Sequence, residues 1–154
     1  MKCGPLLVGF LAALPALAAA ECQGPADIER AVKSHPTADG YNALGAWFGH
    51  HHQPACAVSS FAKALTLQPD SWEAHYNLGV AFIQNNQRDR AISELAAAIQ
   101  RKPDAIAARN ALGTALQDSG QLDRAAAEFK AAIKLDPKSV YALDRLAEID
   151  FAQQ

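Results

Sequence analysis

Histidine and cysteine residues cluster at one point of this 154-residue chain, where their side chains could bind a metal ion. His50, His51 and His52 are consecutive, and Cys56 follows the last of them by four residues. Imidazole and thiolate groups are ligands for zinc, copper and nickel. Structural zinc sites use spaced ligands, however, and three consecutive side chains point in different directions. We therefore expect a solvated turn here, with a metal site as the alternative.

The N-terminal segment, residues 1–20, has the pattern of a secretory signal peptide. A short positive start precedes an apolar stretch, and three alanines then precede Glu21. An uncleaved membrane anchor is the competing interpretation, although the apolar stretch is short for a bilayer span and Pro15 interrupts it. A lipid-modified Cys22 is disfavoured because Glu21 stands where such signals carry a small residue.

Cleavage after residue 20 would remove Cys3 and leave two cysteines in the mature chain. A single cysteine pair in an oxidising compartment favours a disulfide between Cys22 and Cys56. Two unbonded thiols are the alternative, because cysteine also packs as a small apolar residue.

Motifs of metal-dependent and nucleotide-dependent enzymes are missing from the sequence. It contains no Cys-x-x-Cys, no haem-attachment Cys-x-x-Cys-His, no His-Glu-x-x-His and no glycine-rich phosphate loop. The formal net charge is -2, and acidic and basic residues are interspersed, so there is no basic field to attract nucleic acid. We predict a non-catalytic protein with no cofactor and no nucleic-acid partner.

A 34-residue repeat occupies most of the chain. Gly45, Gly79 and Gly113 are spaced by this interval, each follows a leucine, and each unit ends in a proline. Within a unit, apolar residues recur at three- and four-residue steps, which indicates two amphipathic helices joined by a short turn. Such repeats stack into an elongated array rather than a closed globule.

The repeated glycine predicts a close helix contact. Glycine inside a helix costs about 1 kcal/mol relative to alanine, so its recurrence implies that the second helix of the hairpin lies too near for a larger side chain. We expect the facing surface to be the alanine twelve residues later, which is Ala57, Ala91 or Ala125.

The start of each second helix also has a sequence signal. Asp89 and Asp123 fall where these helices should begin and are expected to cap their free amides, and Pro54 opens the helix of the first unit.

The pattern Leu-Gly-x-x-Phe/Leu, followed by alanine, Phe/Leu, alanine and proline, resembles the tetratricopeptide repeat. The three copies, which contain no insertion or deletion, cover residues 38–71, 72–105 and 106–139. The tryptophan usual in the family three residues before the leucine is replaced by Tyr41, His75 and Arg109. The resemblance implies an all-α solenoid of stacked antiparallel helix hairpins.

Both flanks read as partial repeats. Residues 21–37 carry the spacing of a lone second helix, and residues 140–154 are predicted to form a C-terminal capping helix. We expect the charged residues of this cap to face water; they are Asp144, Arg145, Glu148 and Asp150.

In the tetratricopeptide family, the first helix of each hairpin lines a concave surface. The corresponding positions here are Asn42, Ala46, Tyr76, Val80, Ile83, Asn110, Thr114 and Gln117. Amide side chains can hydrogen-bond a peptide backbone, and the apolar members offer contact area. The set contains no lysine or arginine, so we do not expect it to clamp a C-terminal carboxylate. A surface without a ligand is the alternative.

The resemblance therefore implies a protein-interaction scaffold that binds a peptide or a partner helix. With the signal segment, we expect it to be periplasmic or secreted, with no stable membrane insertion after cleavage. The alternative is a metal-binding, enzyme-accessory or envelope-assembly protein that uses the histidine turn, His50 to His52.

Overall fold

The computed structural model describes residues 22–153, and the expected signal segment lies outside them. Within this range there are eight α-helices and no β-strand. The helices are α1 Ala26–Ser34, α2 Ala38–His50, α3 Pro54–Leu67, α4 Trp72–Gln84, α5 Arg88–Arg101, α6 Ile106–Asp118, α7 Leu122–Leu135 and α8 Val140–Ala152.

The helices are stacked hairpins. Helices α2 and α3, α4 and α5, and α6 and α7 pack as antiparallel pairs, and each pair packs on the next one. The first helices also contact one another in the order α2, α4, α6, α8, and we call the surface they form the A side. The surface formed by α3, α5 and α7 is the B side. The prediction of an all-α solenoid is confirmed.

A continuous apolar core runs between the two sides. Its largest fully buried side chains come from both helices of the hairpins and from α8; they are Phe48, Phe82, Leu95, Leu116, Phe129 and Ile149. Among the helices of residues 22–153, none combines the length and apolar character that crossing a bilayer requires.

The repeated glycines lie at close helix contacts, as predicted, but the facing residue differs from the prediction. A Cβ atom added to Gly79 would lie 2.6 Å from the Cγ atom of Leu95, well inside contact distance. In the other two units, Phe61 and Phe129 take the place of Leu95. These residues follow the glycine by sixteen positions, not twelve. In the second unit the predicted Ala91 also lies at the contact, because its backbone carbonyl oxygen is 3.4 Å from the added Cβ atom of Gly79.

The expected aspartate caps are wrong. Asp89 and Asp123 are the second residues of α5 and α7, and the N-cap residues are Gln87 and Gln121, which make no side-chain cap bond. The two carboxylates lie in the first helical turn, where the helix dipole favours a negative charge. Pro54 is the first residue of α3, as predicted.

Helix α1 is attached to the rest of the stack through the loop that precedes it. Cys22, in the loop preceding α1, is bonded to Cys56 of α3, with a Cα–Cα distance of 5.5 Å. The backbone N–H of Gly24 donates to the Glu29 carboxylate at 2.7 Å. The N-terminal loop is thus bonded to the first hairpin at Cys22 and to α1 at Gly24.

The C-terminal helix differs in two respects from the expected solubilising cap. Asp144, Glu148 and Asp150 are exposed, as expected, but Arg145 is half-buried and donates to Glu148. However, Val140 and Phe151 are also 67% and 82% exposed. Helix α8 occupies the place of a hairpin's first helix, and no second helix packs on it within residues 22–153, so part of its apolar surface stays uncovered.

Candidate functional site

All eight residues predicted for the concave surface lie on first helices and therefore on the A side. Asn42 and Ala46 belong to α2. Tyr76, Val80 and Ile83 belong to α4, and Asn110, Thr114 and Gln117 belong to α6. Ala46 is exposed and the other seven are half-buried. The structure thus places the predicted residues along one surface.

A pocket of ≈ 240 Å³ opens between α2 and α4. One wall consists of Gly45, Ala46 and Gly49, whose small size leaves the space, and the other includes Tyr76 and Val80. Beneath the α2 wall lies Phe61, the same ring that covers Gly45. The pocket therefore offers an apolar floor and walls of the kind that take up a ligand side chain.

A second cavity, of ≈ 570 Å³, continues from this pocket towards the turn between α2 and α3. The two share Gly49, His50 and Gln84 in their linings, and the second cavity also touches His52 and Pro54. Together they form a trough from Tyr76 to the histidine turn. Sequence reasoning missed the contribution of His50 and Gln84, since both lie at helix ends beyond the predicted positions.

The C-terminal half of the A side is polar and includes α8. The Thr114 and Tyr141 hydroxyls are 2.7 Å apart, and the side-chain amide of Gln117 donates to Glu148 at 3.3 Å. Treating residues 140–154 as a cap hid the contribution of Tyr141 and Glu148. The 34-residue interval was the available signal, because Glu148 lies one interval after Thr114.

Arg145 is committed to this polar network. Its guanidinium donates to Glu148 at 2.8 Å and lies 5.4 Å from the centre of the Tyr141 ring. The hydrogen bond to Glu148, followed by that to Tyr141, raises the pKa of Arg145 above its ordinary value, against the opposing effect of desolvation. Arg145 therefore stays cationic, and its charge is already compensated.

Three amides on the A side have unused hydrogen-bonding capacity. The side-chain oxygens of Asn42, Asn110 and Gln117 are buried and have no hydrogen-bond partner within residues 22–153. An unpaired buried polar atom costs about 1–3 kcal/mol. Turning over the Asn42 or Asn110 amide exchanges its oxygen and nitrogen, whereas the Gln117 nitrogen already donates to Glu148.

The histidine turn does not gather its side chains. His51 stacks on Trp47 with ring centroids 3.8 Å apart, and its Nδ1 atom lies 2.8 Å from the Trp47 carbonyl oxygen. His52 has a positive φ of 55°, and His50 is exposed. Cys56 is bonded to Cys22 and presents no thiolate. Within residues 22–153, no three His, Cys, Asp or Glu side chains converge as metal ligands.

His75 and Arg109, which replace the family tryptophan in the second and third units, each bond the following helix and the turn before their own helix. His75 is 8% exposed, and its ring nitrogens lie 2.7 Å from the Glu94 carboxylate and 3.2 Å from the Pro69 carbonyl oxygen. Arg109 makes the same two connections, to the Glu128 carboxylate and to the carbonyl of Pro103. Where the family has a tryptophan, these two units thus have a polar side chain that bonds two other segments of the chain.

Comparison with known proteins agrees with this architecture. Two family models, both described as tetratricopeptide repeat, match residues 51–116 and 106–139. The first tetratricopeptide domain of Spaghetti (RPAP3), bound to the HSP90 peptide SRMEEVD, superposes with a TM-score of 0.74 at 18% identity, over 75% of this chain and 92% of that one.

Two other solved structures are similar. MamA has a TM-score of 0.79 at 24% identity, over 82% of this chain and 74% of its own. YrrB, described as having an unusual peptide-binding site, has a TM-score of 0.72 at 23% identity, over 76% of this chain and 61% of its own.

A search of curated proteins found no match. At these identities the likeness to solved structures shows the fold, and the two family matches together span residues 51–139. The chain belongs to the tetratricopeptide repeat family.

Proposed function

We propose that this protein is an exported, non-catalytic adaptor whose A side binds an extended peptide segment of a partner protein. The observation that carries the proposal is the trough between α2 and α4, together with the side-chain oxygens of Asn42, Asn110 and Gln117 on the same side, which have no partner within residues 22–153. An apolar pocket beside amide side chains suits a ligand with a side chain to bury and a backbone to hydrogen-bond.

Relatives with the same fold bind peptides. The first and second tetratricopeptide domains of RPAP3 are described in complex with the peptides SRMEEVD and SGPTIEEVD of HSP90 and HSP70. Tetratricopeptide arrays are typically interaction modules without catalysis. These points support a binding role for this chain.

Export rests on two independent features. Residues 1–20 have the composition of a cleavable signal, and Cys22 and Cys56 form a disulfide, which persists in oxidising compartments. We expect the mature protein to begin near Glu21 and to reside in the periplasm or outside the cell. N-terminal sequencing of the protein from its native source tests this, and an intact Met1 would contradict it.

Affinity capture tests the binding role. The mature protein and a Tyr76→Ala/Asn110→Ala variant would be used as baits in an envelope extract of the source cells. The control is Lys130→Ala, a change of an exposed residue on the B side. We expect partners retained by the protein and the control to be lost from the double variant, with circular dichroism showing that all three baits are folded. Equal retention by the double variant would place binding elsewhere.

A further inference from the structure

The charged residues of the stack are divided between its two sides. The first helices α2, α4, α6 and α8 carry six carboxylates and two guanidinium groups, a net charge of -4. The second helices α3, α5 and α7 carry seven basic and four acidic residues, a net charge of +3. A chain with a formal net charge of only -2 therefore presents an acidic A side and a basic B side.

Neither cation on the A side is available to a ligand. Arg109 is bonded to Glu128 at 2.9 Å and to the Pro103 carbonyl, and Arg145 is bonded to Glu148 at 2.8 Å. Three carboxylates of the A side, in contrast, are available. Glu73, Asp118 and Asp144 are exposed, and none of them has an ion-pair partner within residues 22–153.

These carboxylates lie on the helix faces that carry the predicted groove residues. Glu73 precedes Tyr76 by three positions and Val80 by seven, which places the three on one face of α4. Asp118 follows Thr114 by four positions, and Asp144 occupies on α8 the place that Asn110 occupies on α6. The surface is therefore apolar between α2 and α4 and acidic across α6 and α8.

We infer that the segment bound by the A side combines an apolar side chain, held in the pocket between α2 and α4, with a lysine or arginine held over α6 and α8. This inference rests on the proposed function. A segment ending in several carboxylates would meet like charges here, and neither arginine of the A-side helices within residues 22–153 is uncommitted.

The spacing of the two side chains follows from the helix stack. Neighbouring helix axes are about 8–10 Å apart, so the two halves of the surface are separated by about 16–20 Å. An extended chain advances about 3.3–3.6 Å per residue. The basic residue should therefore stand about five or six positions from the apolar one.

A phage-displayed library of random decapeptides, selected on the mature protein, tests this. Selected peptides would be counter-screened on the Tyr76→Ala/Asn110→Ala variant, so that binding to the A side is recognised. We expect Lys and Arg to be enriched several-fold over Asp and Glu at the stated distance from an apolar residue. A-side-dependent peptides with neutral or acidic residues there would overturn the inference and leave the proposed function standing. The absence of any A-side-dependent peptide would overturn both.

Matched variants test the two halves separately, with a selected peptide labelled for fluorescence polarisation. Asp118→Asn/Asp144→Asn, on α6 and α8, should weaken binding about fivefold, the loss expected for two exposed charge contacts, whereas Asp123→Asn on the B side should not. Ala46→Leu fills the pocket and should weaken binding as well. Ala43→Leu, an exposed change on the same helix outside the pocket lining, is its control. Unchanged affinity in either test variant would contradict the assignment of that half.

Discussion

Two glycines of α2, four residues apart in sequence, have opposite surroundings. A Cβ atom at Gly45 would lie 2.7 Å from the Phe61 ring, whereas one at Gly49 would meet only the Gln84 side chain, at 3.7 Å. We expect Gly45→Ala to lower the free energy of unfolding by about 1–3 kcal/mol through overpacking. Gly49→Ala should leave it unchanged or raise it by up to about 1 kcal/mol, because alanine favours the helix. Urea denaturation of both variants measures the difference, and equal effects would contradict the contact.

At position 75, the chain itself provides the matched comparison. His75 and Arg109 make equivalent connections in successive units, so His75→Arg should keep the bonds to Glu94 and to the Pro69 carbonyl. His75→Leu leaves both acceptors without this partner and should cost about 1–3 kcal/mol of unfolding free energy. Thermal unfolding of the two variants distinguishes a polar connection from simple packing. A leucine variant as stable as the arginine variant would favour packing.

At the scale of elements, the disulfide attaches the loop before α1 to α3. It joins residues 34 positions apart, and closing a loop of this length in the unfolded chain stabilises a fold by about 3–4 kcal/mol in the chain-entropy model. We expect reductant to lower the melting temperature of the oxidised protein. Cys22→Ser should melt at the lower temperature with or without reductant. Alkylation of both thiols in the native, unreduced protein would show that the bond is not formed.

Helix α8 is held mainly by the residues that it buries against α6 and α7. Ile149 is fully buried, whereas Leu143 is 44% exposed on the same helix. Ile149→Ala should therefore lower the unfolding free energy by about 2–5 kcal/mol, and Leu143→Ala should have a much smaller effect. Chemical denaturation compares the two variants. A large loss at Leu143 would mean that its exposed face is covered in solution.

At the scale of the whole molecule, the separation of charge between the A and B sides should make peptide binding depend on salt. Attraction between exposed charges is screened within about 10 Å at 0.1 M salt. We expect the affinity for a basic, A-side-dependent peptide to fall as sodium chloride rises from about 0.05 M to about 0.5 M. The affinity of the Asp118→Asn/Asp144→Asn variant should change much less. Fluorescence polarisation measures both, and parallel salt curves would show that these acids do not contact the ligand.

The amino-acid sequence by itself determined the helices, their pairing and the side on which the predicted groove residues lie. These features depend on periodicities that repeat along the chain. Apolar residues at three- and four-residue steps select a helix face, and Gly45, Gly79 and Gly113 mark a contact that recurs at every level of the stack.

Only the tertiary structure decided which atoms meet across the helices. It showed that Phe61, Leu95 and Phe129 cover the glycines, that α8 joins the A side through Tyr141 and Glu148, and that small residues of α2 leave a pocket facing α4. Each of these depends on distances between separate helices. The crossing geometry of packed helices determines such distances, and no local pattern of residues records them.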